Sequence, residues 1–252
     1  MMIIYFIILL IGLVFGSFLN VLIHRLPLSI SLVNPVGSAC PHCNNGIKWY
    51  ENIPVFSYLA LKGRCSNCSE SISIIYPIVE IITALVTLTI YLNFMLNWEL
   101  IAIIALFYTL IVLSFIDLKY RAVPDYLLII AVILAIVVGD IISVLIFTGG
   151  LLLLELIITF YIQNIKAKIT GNKELETQRA LGEGDIPIAG VIGGLLGIQL
   201  GVSAIFLAAL LALLPAIYNL FSKKEIETAF IPFLSLGLFI TLFSGFNLFS
   251  LF

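Results

Sequence analysis

The sequence predicts an all-α integral membrane protein of about eight transmembrane helices, with a small cysteine-bearing loop domain between the first two. Three observations predict it: a charge-poor composition, uncharged stretches of spanning length, and the confinement of every Lys and Arg to one side of the resulting topology. Of the 252 residues, 62% are hydrophobic and 10% charged, with a mean hydropathy of +1.22. Soluble domains carry about 45–50% apolar and about 25% charged residues, so a soluble globular fold is excluded. A net charge of −2 leaves no basic surplus for nucleic acid.

A helical span needs about 20 mostly apolar residues. Residues 1–23 carry no charge and form the first. With no basic n-region and no small-residue cleavage site, this segment reads as retained, not as a removed signal peptide. Residues 71–96 contain only Glu80, and residues 100–116 and 229–252 contain no charge. Two further stretches are too long for one crossing. Residues 126–165 would extend about 60 Å as helix against a hydrocarbon core of about 30 Å, so they form two spans turning near Gly139-Asp140. Residues 186–222 would reach about 55 Å and fold back around Gln199-Leu200-Gly201. The total is eight.

With eight spans, the face carrying both termini and the turns near Asn97, Asp140 and Gln199 has no Lys or Arg. The other face receives all twelve: Arg25, Lys48, Lys62, Arg64, Lys119, Arg121, Lys166, Lys168, Lys173, Arg179, Lys223 and Lys224. The positive-inside rule makes that face cytoplasmic, with both termini outside; seven spans would scatter the cations. The chain divides into the first helix (1–23), a cytoplasmic loop domain (24–71) and seven further helices (72–252). The other long polar loop is 166–185.

All four cysteines fall in the first loop, as Cys40-Pro41-His42-Cys43 and Cys65-Ser66-Asn67-Cys68, with 21 residues between the pairs. Each C-x2-C turns two thiolates toward one point, and four thiolates satisfy tetrahedral Zn²⁺ at about 2.3 Å each. A loop this short builds no stable core unaided, and zinc supplies the missing folding energy. A thiol–disulfide relay is the competing reading, but it needs an oxidising compartment or a quinone. His42 is a solvated loop histidine or a substitute ligand, and four thiolates favour the first.

Ionisable residues at membrane depth are functional candidates by default. Asp117 ends the third span, Asp125 follows Pro124 as a natural N-cap of the fourth, and Asp185 opens the sixth behind Gly182-Glu183-Gly184. Glu80 and Glu155 lie within spans two and five. Asp117 and Asp185 stand at cytoplasmic ends of different helices, where packing can bring them together. Two carboxyl groups sharing a site hold one proton between them. The ionised member then takes a proton from water while the protonated one polarises a scissile carbonyl, as peptide hydrolysis requires. Gly182 and Gly184 would let a substrate backbone come close. The bland alternatives are that Asp117 pairs with Lys119 or Arg121, and that Gly-Glu-Gly-Asp is a turn leading into a helix with Asp as its cap.

Together these motifs resemble the type IV prepilin peptidases, membrane aspartyl proteases of the Gly-x-Gly-Asp type. The resemblance runs from Gly16-Ser17-Phe18-Leu19-Asn20 through His24-Arg25-Leu26-Pro27, Cys40-Pro41-His42-Cys43, Trp49-Tyr50-Glu51-Asn52-Ile53-Pro54-Val55, Gly63-Arg64-Cys65 and Tyr76-Pro77-Ile78-Val79-Glu80. Asp117, Pro124-Asp125 and Gly182-Glu183-Gly184-Asp185 complete it. It implies a bifunctional inner-membrane enzyme of a bacterium, with 72–252 as the peptidase domain and 24–71 as the methyltransferase part. Such an enzyme cuts leader peptides from prepilins or pseudopilins of type IV pilus and type II secretion systems, substrates that also carry a hydrophobic N-terminal helix. It then N-methylates the new amino terminus with S-adenosylmethionine. Asp117 and Asp185 are the catalytic aspartates by the same resemblance. Many relatives follow the second aspartate with Phe-Lys where this chain has Ile186-Pro187. No dinucleotide or nucleoside motif is present, so the methyl donor rests on resemblance alone and no residue is assigned to it.

Two other classes compete with an enzyme: a transporter with a zinc-stabilised gating loop, and a non-catalytic membrane scaffold. Transporters place polar groups near the midplane, whereas these acids cluster at one edge, and a scaffold would tolerate loss of either aspartate.

Overall fold

The structure is a computed structural model that describes residues 2–33, 37–94, 96–171, 173–221 and 228–251. Lys223 and Lys224, two of the cations that fix the expected topology, lie outside the described residues. The described chain is helical apart from turns and two isolated β-bridges. Among the described residues, five helices are long and apolar enough to cross a membrane, and two shorter ones, Asp125–Val138 and Ile231–Ser244, are also apolar. The chain divides into two compact units, Met1–Ile116 and Asp117–Phe252.

In the first unit, α1 (Met2–Arg25) packs along α2 (Ile75–Asn93). The approach is close because Gly12 and Gly16 sit one turn apart on α1. A Cβ there would lie 2.5 Å from the Ala84 Cα and 2.6 Å from the Glu80 Cα, the small-residue contact that lets helix backbones meet in lipid. The Asn20 amide donates to the Tyr76 carbonyl at 3.0 Å. On α3 (Trp98–Tyr120), the Tyr108 hydroxyl meets Thr87 Oγ1 at 2.7 Å. Leu106, Leu110 and Leu113, three and four residues apart, are fully buried along one face.

In the second unit, α4 (Asp125–Val138) and α5 (Ile141–Phe160) turn at Gly139-Asp140 as the sequence predicts. The turn is fixed by the Asp140 carboxylate, which accepts from the Ser143 N–H at 2.8 Å and the Ser143 hydroxyl at 2.7 Å. It is an N-cap. Beyond Phe160 the helix widens into a π-helical turn, Tyr161–Lys166.

The described part of the stretch 186–222, residues 186–221, does break into two segments, but not around Gln199-Leu200-Gly201. Within α6 (Asp185–Phe221) the non-helical residue is Gly197, at φ 68 and ψ −170, a conformation essentially reserved for glycine. Gly201 stays helical; a Cβ there would come within 2.6 Å of the Phe147 ring. The last span is also shorter than expected, because α7 (Ile231–Ser244) ends at Gly245, whose left-handed backbone (φ 66) caps it with an N–H to the Thr241 carbonyl.

Candidate functional site

Asp117 stands in the last turn of α3 and Asp185 is the first residue of α6; each is 8% exposed. Both belong to the second unit, and their carboxyl groups lie within electrostatic reach of one another. Local structure holds each one. Asp185 closes a reciprocal turn with Gly182: its N–H donates to the Gly182 carbonyl at 3.1 Å, while the Gly182 N–H donates to Asp185 Oδ2 at 3.2 Å. Asp117 Oδ2 accepts from the N–H of Ile231 at 3.2 Å, one of the free amides that open α7. Nothing in the sequence pattern points to this contact across 114 positions. Arg121 also lies within electrostatic reach of Asp117, whereas the Lys119 ammonium sits 5.0 Å over the Tyr120 ring.

A side chain at either motif glycine would crowd its neighbours. A Cβ on Gly182 would lie 3.0 Å from Asp185 Oδ2, and one on Gly184 would lie 2.9 Å from Val123 and 3.1 Å from Ile231. Gly184 is thus packed against neighbouring side chains, while Gly182 is exposed beside the Asp185 carboxylate. Pro187 falls in the first turn of α6, where an N–H has no helical partner, so it breaks no hydrogen bond. Asp125 is not the N-cap expected: Pro124 holds that position, and Asp125 is an exposed first-turn residue.

The four cysteines converge as predicted, with all four Sγ atoms within 4.8 Å of one another and no disulfide between them. Two knuckles of the same build present them. In one, the Cys40 carbonyl accepts from Asn44 N–H at 2.9 Å and Cys40 N–H donates to Asn45 at 3.0 Å; in the other, Cys65 does the same with Ser69 at 3.0 Å and Glu70 at 2.8 Å. The residue after each second cysteine is left-handed, Asn44 at φ 53 and Ser69 at φ 60. Tetrahedral zinc with bonds of about 2.3 Å separates its sulfurs by about 3.8 Å, and Cys40 and Cys68 are 3.8 Å apart. The Asn45 backbone N–H, then the Asn67 amide, pulls the Cys43 thiol down to about 6. Cys68 is pushed up to about 12: the lowering by the Glu70 backbone N–H is outweighed by burial and the surrounding sulfurs. Thiols crowded in this way ionise together only when a cation shares them. His42 is exposed and outside the cluster.

The two remaining buried acids hold loops. Glu80 accepts from the Val55 N–H at 2.8 Å. Glu155 accepts from the Thr159 hydroxyl at 3.0 Å, and Thr159 Oγ1 accepts from the Ala180 N–H at 3.1 Å. That second chain straps the segment before Gly182 to α5. Its only sequence signal was an acid and a hydroxyl one helical turn apart.

These features define a class: a multi-pass helical membrane protein with two buried, interacting aspartates and a four-cysteine loop. The comparisons narrow it. Residues 10–94 match the bacterial Peptidase A24 N-terminal domain, and residues 104–217, which include both aspartates, match the type IV leader peptidase family. A prepilin leader peptidase/N-methyltransferase of Pectobacterium carotovorum subsp. carotovorum is 33% identical over 94% of this chain and 92% of its own length. The chain therefore belongs to the type IV leader peptidase family. Proteins of the same name from Myxococcus xanthus and Aeromonas hydrophila are 45% and 39% identical, over 45% and 46% of this chain. Those matches span only 33% and 48% of the relatives' own lengths. No solved structure matches.

Proposed function

We propose that this chain cleaves the leader peptide of prepilins or pseudopilins at the cytoplasmic face of a bacterial inner membrane and N-methylates the new amino terminus. The observation that carries the reading is the burial of Asp117 and Asp185 within electrostatic reach of one another. The ionised member of the pair takes a proton from water, and the water oxygen bonds to the scissile carbonyl carbon. The other member donates its proton to the carbonyl oxygen. The C–N bond then breaks as the departing amine takes up the proton held by the first, and a hydroxyl of the tetrahedral intermediate returns its proton to the second, which restores the pair. The Ile231 amide on Asp117 and the Gly182 amide on Asp185 keep one oxygen of each carboxyl group fixed.

The reading includes eight spans with both termini outside, the loop 24–71 as a separate small domain, and a peptidase domain over 72–252. Cys40, Cys43, Cys65 and Cys68 hold one structural Zn²⁺, which ties the two knuckles together and takes no part in the hydrolysis. S-adenosylmethionine comes with the family's second activity and has no residues of this chain attached to it. The test is to incubate purified protein in detergent with a prepilin and S-adenosylmethionine and to weigh the product. Loss of the leader with gain of one methyl group is expected; an unchanged prepilin would return the scaffold or transporter reading.

A further inference from the structure

The loop domain carries a row of apolar side chains in an unusual state. Trp49 is 82% exposed, Phe56 71% and Leu59 66%, with Tyr50 and Ile53 also exposed. Phe56 and Leu59 are three residues apart on a one-turn helix, Phe56–Ala60, and so share a face. In a loop standing free in water this row would be an adhesive liability.

Where the row stands is fixed by Glu80. Helix α2 has 19 residues, about 28 Å at about 1.5 Å per residue, so it fills a hydrocarbon core of about 30 Å and Ile75 marks its boundary. Glu80 lies five residues further in, about 7.5 Å along the axis, with its side chain leaning back toward the start of the helix. Its carboxylate accepts the Val55 N–H at 2.8 Å, which puts the loop backbone at Val55 level with the edge of the bilayer. The backbone there is forced. Val55 has φ 62 and ψ −47, and the Phe56 N–H donates to the Pro54 carbonyl at 2.6 Å, a tight γ-turn that a β-branched residue adopts only under constraint. Lys48, Lys62 and Arg64 flank the row, supplying the charge that anionic headgroups attract.

We propose that residues 49–61 form an interfacial segment that lays Trp49, Phe56 and Leu59 into the headgroup layer of the bilayer, with Glu80 and Val55 as the clamp that holds it at that depth. Trp and Tyr beside Lys and Arg at a span's end are the composition of such a belt. The inference rests on the membrane-spanning reading of α2 and not on the peptidase activity.

The chain has two tryptophans, Trp49 and Trp98, so Trp98→Phe leaves Trp49 as sole reporter. In vesicles of phosphatidylethanolamine and phosphatidylglycerol, replacing part of the lipid with one brominated near the carbonyl end of its acyl chains should quench about half or more of the Trp49 emission, with little quenching by aqueous acrylamide. Strong acrylamide quenching without lipid quenching would overturn the proposal, as would protection from both, since the protein itself would then cover the row. The reciprocal Trp49→Phe, measured against wild type, gives the same reading by difference should Trp98→Phe insert poorly.

Discussion

Backbone amides hold both aspartates, those of Ile231 and Phe230 on Asp117 and that of Gly182 on Asp185, and neither role survives conversion to an amide side chain. Asp117→Asn and Asp185→Asn are each expected to lower leader cleavage by at least about 100-fold while leaving insertion intact, measured as cleaved product per unit of membrane protein. Because the two act as a unit, either change alone should be nearly as damaging as both. Asp125→Asn should be close to neutral, since that side chain is exposed and caps nothing. Gly184→Ala sets a methyl group 2.9 Å from Val123 and 3.1 Å from Ile231; the overpacking costs about 1–3 kcal/mol and pushes on Ile231, whose amide holds Asp117. Cleavage should fall with it. Asp140 gives a test by pH. Its carboxyl group is held below the ordinary value of 3.8 by the Ser143 hydroxyl and then the Ser143 N–H. A folded value lower than the unfolded one means that the stabilisation is full above the unfolded value and is lost as pH falls through the folded one. The thermal midpoint of Asp140→Ala should therefore lie below wild type at neutral pH, and the gap should close in acid below that range.

At the scale of elements, the sequence showed where charge and length leave no choice. Uncharged stretches and the one-sided cations imply the helices, and Cys40, Cys43, Cys65 and Cys68 imply a shared centre. The ends of helices were less legible. Gly197 and Gly201 are the same residue type four positions apart, yet Gly197 breaks α6 with open space around it while Gly201 stays helical against Phe147. Gly197→Ala should disturb the fold-back, read as altered labelling of a cysteine placed at Gln199, which the eight-span reading puts outside. A cysteine in place of Lys173 should label only from the cytoplasm; labelling from outside would contradict the span count. The knuckles predict about one Zn²⁺ per chain. Since thiolates must be free to bind it, acidification should release the metal, and chelation should make the loop sensitive to protease. A metal-free protein with disulfides in fresh lysate would refute the site.

At the scale of the molecule, the two units divide the chemistry: the cysteines lie in Met1–Ile116 and both aspartates in Asp117–Phe252. The pairing of those aspartates was legible only as a possibility, because nothing local links residues 117 and 185. Contacts distant in sequence, such as the α7 amide on Asp117, leave no periodic trace at all. If methyl transfer belongs to the loop, it should survive loss of the dyad. The measurement that tests the account most directly is the mass of a prepilin, and separately of a leader-free pilin, after incubation with the Asp117→Asn protein and S-adenosylmethionine. The account predicts an uncut prepilin and a leader-free pilin that gains one methyl group. A prepilin cut at near the wild-type rate would contradict it, and with it the aspartate mechanism.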